Sequence, residues 1–364
     1  MSLLKHLEII TDHRNDINKK HDLIDVIFLT LAAVLSGADG WKSIQQFGDL
    51  QLEWLRQHRG FANGIPRRHC IATIIKALDT QVLLKAVFGW INDQRKQQGK
   101  QVIALDGKTM RGAWRDDASK ALHVVSAFDV GNGVALYQGS SDSKGHEGDV
   151  ARQVIAALTL DNAVVTLDAL HCQADTMKAV IKGKGDFVIQ LKGNQPTLSQ
   201  HVKTCFAEQY ENPELATFEQ INRGHGREEK RTVMQMKAKL PKELKQKWPH
   251  VQTFIEVASE RCVKNTTACS SRWYASSLPV NAEQAAGIVR DHWAVENQLH
   301  WVLDVVFRED ELKIGDPTGA THLALFNRAC LSLIRQHMGK KDSIAGKRRA
   351  ALWSPEFRTE LLFG

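Results

Sequence analysis

At 364 residues the chain is too long for one small core and fits two or three domains. An apolar content of 43% and a charged content of 24% are those of an ordinary globular protein, and the longest apolar stretch, residues 26–35, falls far short of the ~20 residues of a bilayer span. Six cysteines without a CxxC pair exclude a zinc ribbon and read as reduced, mostly buried thiols, while a net charge of +7 with a pI near 9.0 points to an anionic partner, nucleic acid first.

Residues 1–95 carry helical patterning almost throughout, with turns at 36–40 and 62–66, and predict a small helical domain. A helix starting beside Pro66 places Arg67, Arg68 and His69 in its first turn, where cations oppose the helix dipole unless a phosphate neutralises them; a solvated basic turn is the plain alternative. The polar stretch 95–100 reads as a linker. The apolar run 101–106 then ends on Asp106 and breaks at Gly107, the pattern of a buried strand delivering a carboxylate to its end. Taken alone, Asp-Gly is as readily a turn. Strands at 122–128 and 134–138, with turns at 116–117 and 131–133, extend the first strand into an antiparallel meander.

A helix at 149–158 leads to a second strand of the same design, 161–168, which stops on Asp168; a helix at 174–181 and a strand at 186–192 follow. Between 192 and 272 the pattern loosens into a helix at 197–209 and strands at 232–237, 251–257 and 273–277, a β-rich insertion. Within it the segment from His225 to Arg231, with Arg223, Arg227, Lys230 and Arg231, is densely basic beside a glycine turn, either a phosphate grip or a solvated hairpin. In the helix that follows, Ile288, Val295, Leu299, Val302 and Val306 recur as a core stripe, and Glu296 and His300 flank it. Residues 321–338 predict an amphipathic helix with Leu325, Ala329 and Ile334 on its apolar side. A basic tail from residue 339 would follow a DNA backbone or keep the surface soluble. No GxxxxGK[ST] loop occurs, so ATP use is not indicated.

Two carboxylates at neighbouring strand ends stay ionised together only with a cation between them, and oxygen-only ligands favour Mg²⁺ or Mn²⁺ over zinc. Glu296 is the candidate third ligand. Two such ions about 3.5–4 Å apart would stabilise both the attacking and the leaving oxygen of a phosphodiester transfer. Lys108 and Arg111, just past Asp106, would hold the phosphate or be surface charges; Asn297 and His300 would support Glu296. Trp273, Trp293 and Trp301 read as core, with a base-stacking platform as the alternative.

Asp106 in Ile-Ala-Leu-Asp-Gly-Lys-Thr, Asp168 in Thr-Leu-Asp-Ala and Glu296 in His-Trp-Ala-Val-Glu-Asn-Gln-Leu-His-Trp closely resemble the bacterial DDE transposases of the H-repeat-associated branch. Further matches are Leu-Lys-Gly-Asn-Gln at 191–195, His-Gly-Arg-Glu-Glu at 225–229, Arg-Trp-Tyr-Ala-Ser-Ser at 272–277 and Leu-Asp-Val-Val-Phe-Arg-Glu-Asp at 303–310. The resemblance implies an α/β fold, namely a ribonuclease H-like core with a β-rich insertion and an N-terminal helical domain. Its parts would be 1–95 (helical, DNA-gripping), 96–195 and 272–338 (core), 196–271 (insertion) and 339–364 (tail). In that fold the first and fourth strands are neighbours, which would bring Asp106 and Asp168 together. It further implies catalysis by Asp106, Asp168 and Glu296 with two Mg²⁺ or Mn²⁺ ions, and DNA contacts by Lys108, Arg111, Lys192, His225, Arg227 and Arg231. The partner would be double-stranded DNA, bound by a homodimer in the cytoplasm at the nucleoid, with no membrane. A DNA-binding relic and a nuclease without joining activity are the alternative functions. Where several insertion-sequence transposases have a lysine two turns beyond the third acid, this chain has Leu303 and Asp304.

Overall fold

The computed structural model describes residues 3–15, 17, 19–94, 99–112, 122–141, 147–224, 227–263 and 266–364. The expected turn at 116–117, most of the linker at 95–100, and His225 lie outside them. The chain forms two compact units that alternate along the sequence: Met1–Lys96, Gly107–His146 and Glu296–Gly364 make the first, Gln97–Asp106 and Glu147–Val295 the second.

In chain order the helices α1 (Leu3–Leu7), α2 (Leu23–Leu35), α3 (Trp41–Arg56), α4 (Arg68–Lys76) and α5 (Thr80–Gln94) precede strands β1 (Gln101–Met110), β2 (Leu122–Asp129) and β3 (Val134–Ser141). Then come α6 (Glu147–Ala156), β4 (Ala163–Leu167), α7 (Ala174–Lys182), β5 (Asp186–Leu191) and α8 (Pro196–Ala207). Strands β6 (Ala216–Gly224) and β7 (Arg227–Lys237), helix α9 (Lys242–Lys247), strands β8 (Thr253–Val263) and β9 (Thr266–Ser276) and helix α10 (Ala282–His292) follow. A π-helical turn, Val295–His300, leads into α11 (Trp301–Val305), and α12 (Pro317–Gln336), α13 (Ile344–Trp353) and α14 (Pro355–Phe363) close the chain. The mixed α/β class is as the sequence reading expected. No helix among the described residues is long and apolar enough to cross a membrane.

In the second unit the strand order is β1-β4-β5-β9-β8-β7-β6. β1, β4 and β5 are parallel, which their runs of Val, Ile and Leu permit because both faces are covered; every residue of β4 is buried. β5 pairs antiparallel with β9, and β6 to β9 form an antiparallel sheet. Its edge strand β6 has no counterpart in the sequence reading. Val233, Ile255, Val257 and Tyr274 pack with Ile288 and Val289 of α10 in one core.

In the first unit β1, β2 and β3 are ordered β3-β2-β1, and β2 and β3 form a hairpin whose turn is held by Asp129, which accepts the Asn132 N–H, and by Gly133 at φ +68°. Three expectations are corrected here. β1 does not end at Asp106 but continues to Met110, because Lys108 and Met110 keep the period-two burial and β2 remains its neighbour. α12 is not amphipathic: Gly319 through Ile334 are all buried, and its polar residues find partners inside, as when His322 Nδ1 donates to Ile75 O at 2.8 Å and accepts at Nε2 from Thr80 at 2.9 Å. The basic tail is folded as α13 and α14. The Arg348 guanidinium bonds the Val34 and Ala38 carbonyls at the C-terminal end of α2, where a cation complements the helix dipole, and Arg358 stacks on Trp54 at 4.1 Å. Of the six free thiols, only Cys172 and Cys330 are fully buried.

Candidate active site

The parallel pairing of β1 with β4 fixes the geometry of the first two acids. Leu105 and Leu167 are register partners, so Asp106 and Asp168, the next residues of each strand, stand at equal height on adjacent strands. Neighbouring strands lie about 4.8 Å apart, within the span that one cation bridges. Asp168 starts the short helical turn Ala169–His171, and its Oδ1 accepts the backbone N–H of Leu170 at 3.1 Å and of His171 at 3.4 Å. Those bonds orient the carboxylate and leave Oδ2 for a ligand. His171 Nε2 lies 3.9 Å from the same Oδ1; burial pushes this imidazole below its ordinary pKa, while the charges of Asp168 and Glu147 pull it up. Two residues before Asp168 on the same strand, Thr166 Oγ1 meets His292 Nδ1 at the end of α10, at 2.9 Å. Lys192 is exposed just beyond β5, at the same end of the sheet as Asp168.

Glu296 and His300 belong to the first unit, and the division of the chain falls between Val295 and Glu296. The continuous α-helix expected over 288–306 is interrupted here by the π-helical turn, whose i→i+5 bonding winds the chain wider. Leu299 and His300 still point inward, while Glu296 and Asn297 are exposed. His300 Nδ1 sits 3.2 Å from Glu296 Oε2. That hydrogen bond, opposed by partial burial and aided by the charges of His300 and Lys108, holds the Glu296 carboxyl below its usual range and keeps it ionised.

Lys108 stands differently from the expectation that it holds a phosphate. The residue is 7% exposed, and its ammonium lies 2.7 Å from Asp304, 2.7 Å from Asp310 and 3.7 Å from Glu309. Burial lowers the Lys108 pKa, but Glu309, Asp304 and Asp310 together raise it above its ordinary value, so the charge is retained and neutralised by carboxylates. Glu309 in turn accepts from Arg328 at 2.9 Å, with both side chains fully buried, and Arg328 Nε reaches Ser126 Oγ at 3.2 Å. Sequence reasoning found the 303–310 motif but missed this network, because the lysine and arginine that answer its acids lie on β1 and α12.

Arg111 is 83% exposed, with Nε 3.7 Å from Asp310. Arg231 bonds Glu229 at 2.9 Å, and Arg227 opens β7 across the hairpin tip from Gly224. Arg67, Arg68 and His69 are exposed at the start of α4. A cavity of about 580 Å³ beside them is lined also by Lys42 at the start of α3 and by Arg308 and Lys313, against Asp39 and Glu311.

A profile described as the Transposase DDE domain matches residues 97–333, and one described as DDE_Tnp_1-associated matches residues 4–100. The chain belongs to the DDE transposase family. All three acids lie within the matched catalytic-domain span. Among relatives, the H repeat-associated putative transposase YhhI of Escherichia coli K12 is 31% identical over 100% of this chain and 98% of its own length. A protein named only for its place in the dhlA 3' region of Xanthobacter autotrophicus is 31% identical over 74% of this chain and 92% of its own length. The inactive transposase YbfQ of E. coli K12 is 41% identical, but over only 20% of this chain.

Proposed function

We propose that the chain is a DNA transposase that cleaves strands at the ends of an insertion sequence and joins them to target DNA, with Asp106, Asp168 and Glu296 holding two Mg²⁺ or Mn²⁺ ions. The observation that carries this reading is the Leu105–Leu167 register, which sets Asp106 beside Asp168 at one edge of a parallel sheet. We read the strand order β3-β2-β1-β4-β5 as a ribonuclease H-like core and β6 to β9 as its insertion. The donor set fits hard divalent cations: Asp168 has Oδ1 fixed by backbone N–H groups and Oδ2 left for a ligand, and Glu296 is kept ionised by His300. Such ions, when bound, stabilise the attacking and leaving oxygens of an in-line displacement at phosphorus. The His300 bond to Glu296 and the backbone bonds to Asp168 would orient these two acids for the ions. Arg111 and Lys192, both exposed, would contact phosphates in this reading.

The test is incubation of wild type, Asp106→Asn and Glu296→Gln with Mn²⁺ and a DNA fragment carrying an element end, scored for nicks and for joined products. Both variants should keep DNA affinity and lose cleavage and joining together, by about a hundredfold or more. Cleavage without joining by wild type would make the protein a nuclease, and binding with neither would make it a DNA-binding relic. Undiminished cleavage by Asp106→Asn would overturn the proposed site.

A further inference from the structure

Strands repeat their side chains with a period of two, so register alone decides which residues of β6 to β9 share a face. One row across the sheet is Phe218, Val233, Val257 and Arg272; the next is Gln220, Arg231 and Ser259; the third is Asn222, Glu229 and Arg261. α10 lies on this face over the first row, where Val233, Val257 and Val289 form an apolar floor. Beside it opens a hollow of about 370 Å³ into which four arginines converge, Arg231, Arg261 and Arg272 from the sheet and Arg290 from α10, with Glu229 as the acid among them.

Three of the four arginines are held in place. Arg231 is bonded by Glu229 at 2.9 Å, Arg290 Nη1 donates to Gln220 Oε1 at 3.1 Å, and the Arg272 guanidinium lies 5.2 Å from the ring of Trp293, which is itself 47% exposed. Arg261 and Arg290 are exposed. The opposite face of the same strands is different in kind: Lys230 pairs with Glu219 at 2.9 Å, Arg223 with Glu228 at 2.5 Å, and Glu256 accepts from the Tyr210 hydroxyl. Positive charge is therefore sorted to one face rather than spread over the hairpins. Covering an apolar floor would need only aliphatic stems. Four guanidinium groups with Glu229 as the one carboxylate lining the hollow instead present a surplus of planar donors, the group suited to bidentate phosphate contact, three of them already held by pairing, a hydrogen bond or stacking so that little side-chain freedom is lost on binding.

We propose that this arginine face is a binding site for the sugar–phosphate backbone of DNA, separate from the acids of the proposed catalytic site. The proposal rests on DNA being the substrate and assigns a second surface to it. The test uses the full chain and a DNA duplex of arbitrary sequence, with affinity followed by fluorescence anisotropy over a salt series. The variant Arg261→Ala/Arg290→Ala changes two exposed side chains; the control Arg223→Ala/Lys230→Ala changes two charges on the other face. Each phosphate contact contributes about 0.9 to the slope of log affinity against log salt, so the first variant should flatten the slope by about 1.8 and the control by much less. Arg261→Gln alone, the mildest change, should flatten it by about 0.9 and serves if the double variant loses its folded circular dichroism. An unchanged slope in these variants, with wild type binding DNA, overturns this proposal and leaves the transposase reading intact. Absence of DNA binding by wild type overturns both. Loss of polyglutamate binding in the variant, with DNA binding untouched, would overturn the assignment in favour of an acidic protein.

Discussion

The buried pair Arg328–Glu309 invites a quantitative test. Both side chains are 0% exposed and 2.9 Å apart, and Glu309 also receives Asn327 at 3.3 Å and faces Lys108 at 3.7 Å. Glu309→Leu would strand the guanidinium of Arg328 with only Ser126 Oγ and the Ala324 carbonyl, neutral groups that cannot balance its charge. Breaking a buried pair from one side typically costs about 3–5 kcal/mol, a large share of the roughly 5–15 kcal/mol that holds a domain folded. Arg328→Met should cost less, because Lys108 still answers Glu309. The double variant Glu309→Leu/Arg328→Met removes both charges and should recover most of the loss, since replacing a buried pair with apolar side chains is often neutral or favourable. Native-state hydrogen exchange of the α12 amides reads the free energy of the unit that holds the pair. If Glu309→Leu leaves that free energy within about 0.5 kcal/mol of wild type at neutral pH, the network is not the electrostatic centre described here.

Two further outcomes are expected. Burial lowers the pKa of His322 from its ordinary 6.5 despite its bond to Ile75 and the charges of Asp316 and Asp79, so the unfolded chain takes up the proton first; the stability it contributes is present above pH 6.5 and is lost as pH falls through the folded value. The urea midpoint should therefore fall more steeply on acidification in wild type than in His322→Gln, and parallel curves would refute this. Gly112→Ala would place a Cβ 2.6 Å from the Leu312 carbonyl oxygen and 2.8 Å from that of Asp310, backbone atoms that cannot swing aside. It should cost about 1–3 kcal/mol and raise exchange at residues 310–312; an alanine variant as stable as wild type would contradict the close approach.

What the sequence made legible depends on whether a residue's partner is near it in the pattern. β4, Ala163 to Leu167, read as an interior strand from its apolar run, and the resemblance to a ribonuclease H-like fold made it the neighbour of β1, so the Asp106–Asp168 juxtaposition was readable. β6 was not, because Glu219, Gln220 and Arg223 alternate with little apolar contrast on an edge strand. Lys108 read as a phosphate contact or a surface charge, and Lys347 and Arg348 as part of a basic tail, yet these three and Arg328 are buried. Their counterparts are carboxylates or helix-end carbonyls brought by tertiary packing, for which neither spacing nor composition leaves a mark. The π-helical turn at Glu296 is likewise silent, since its residues are those of an ordinary helix.

The alternation of the two units along the chain bears on how the protein emerges from the ribosome. α2 takes a thiol contact from Cys330 to the Leu31 carbonyl and has its C-terminal carbonyls bonded by Arg348, while α4 ends against His322. None of these partners exists until more than three hundred residues have been made. The apolar helix Leu23–Leu35 can pack early against α3 and α4, but the part of it that meets α12 and α13 stays uncovered through most of synthesis, whereas the second unit can close once Val295 is out. Translation time, and whatever shields α2 meanwhile, thus become part of this chain's folding requirement.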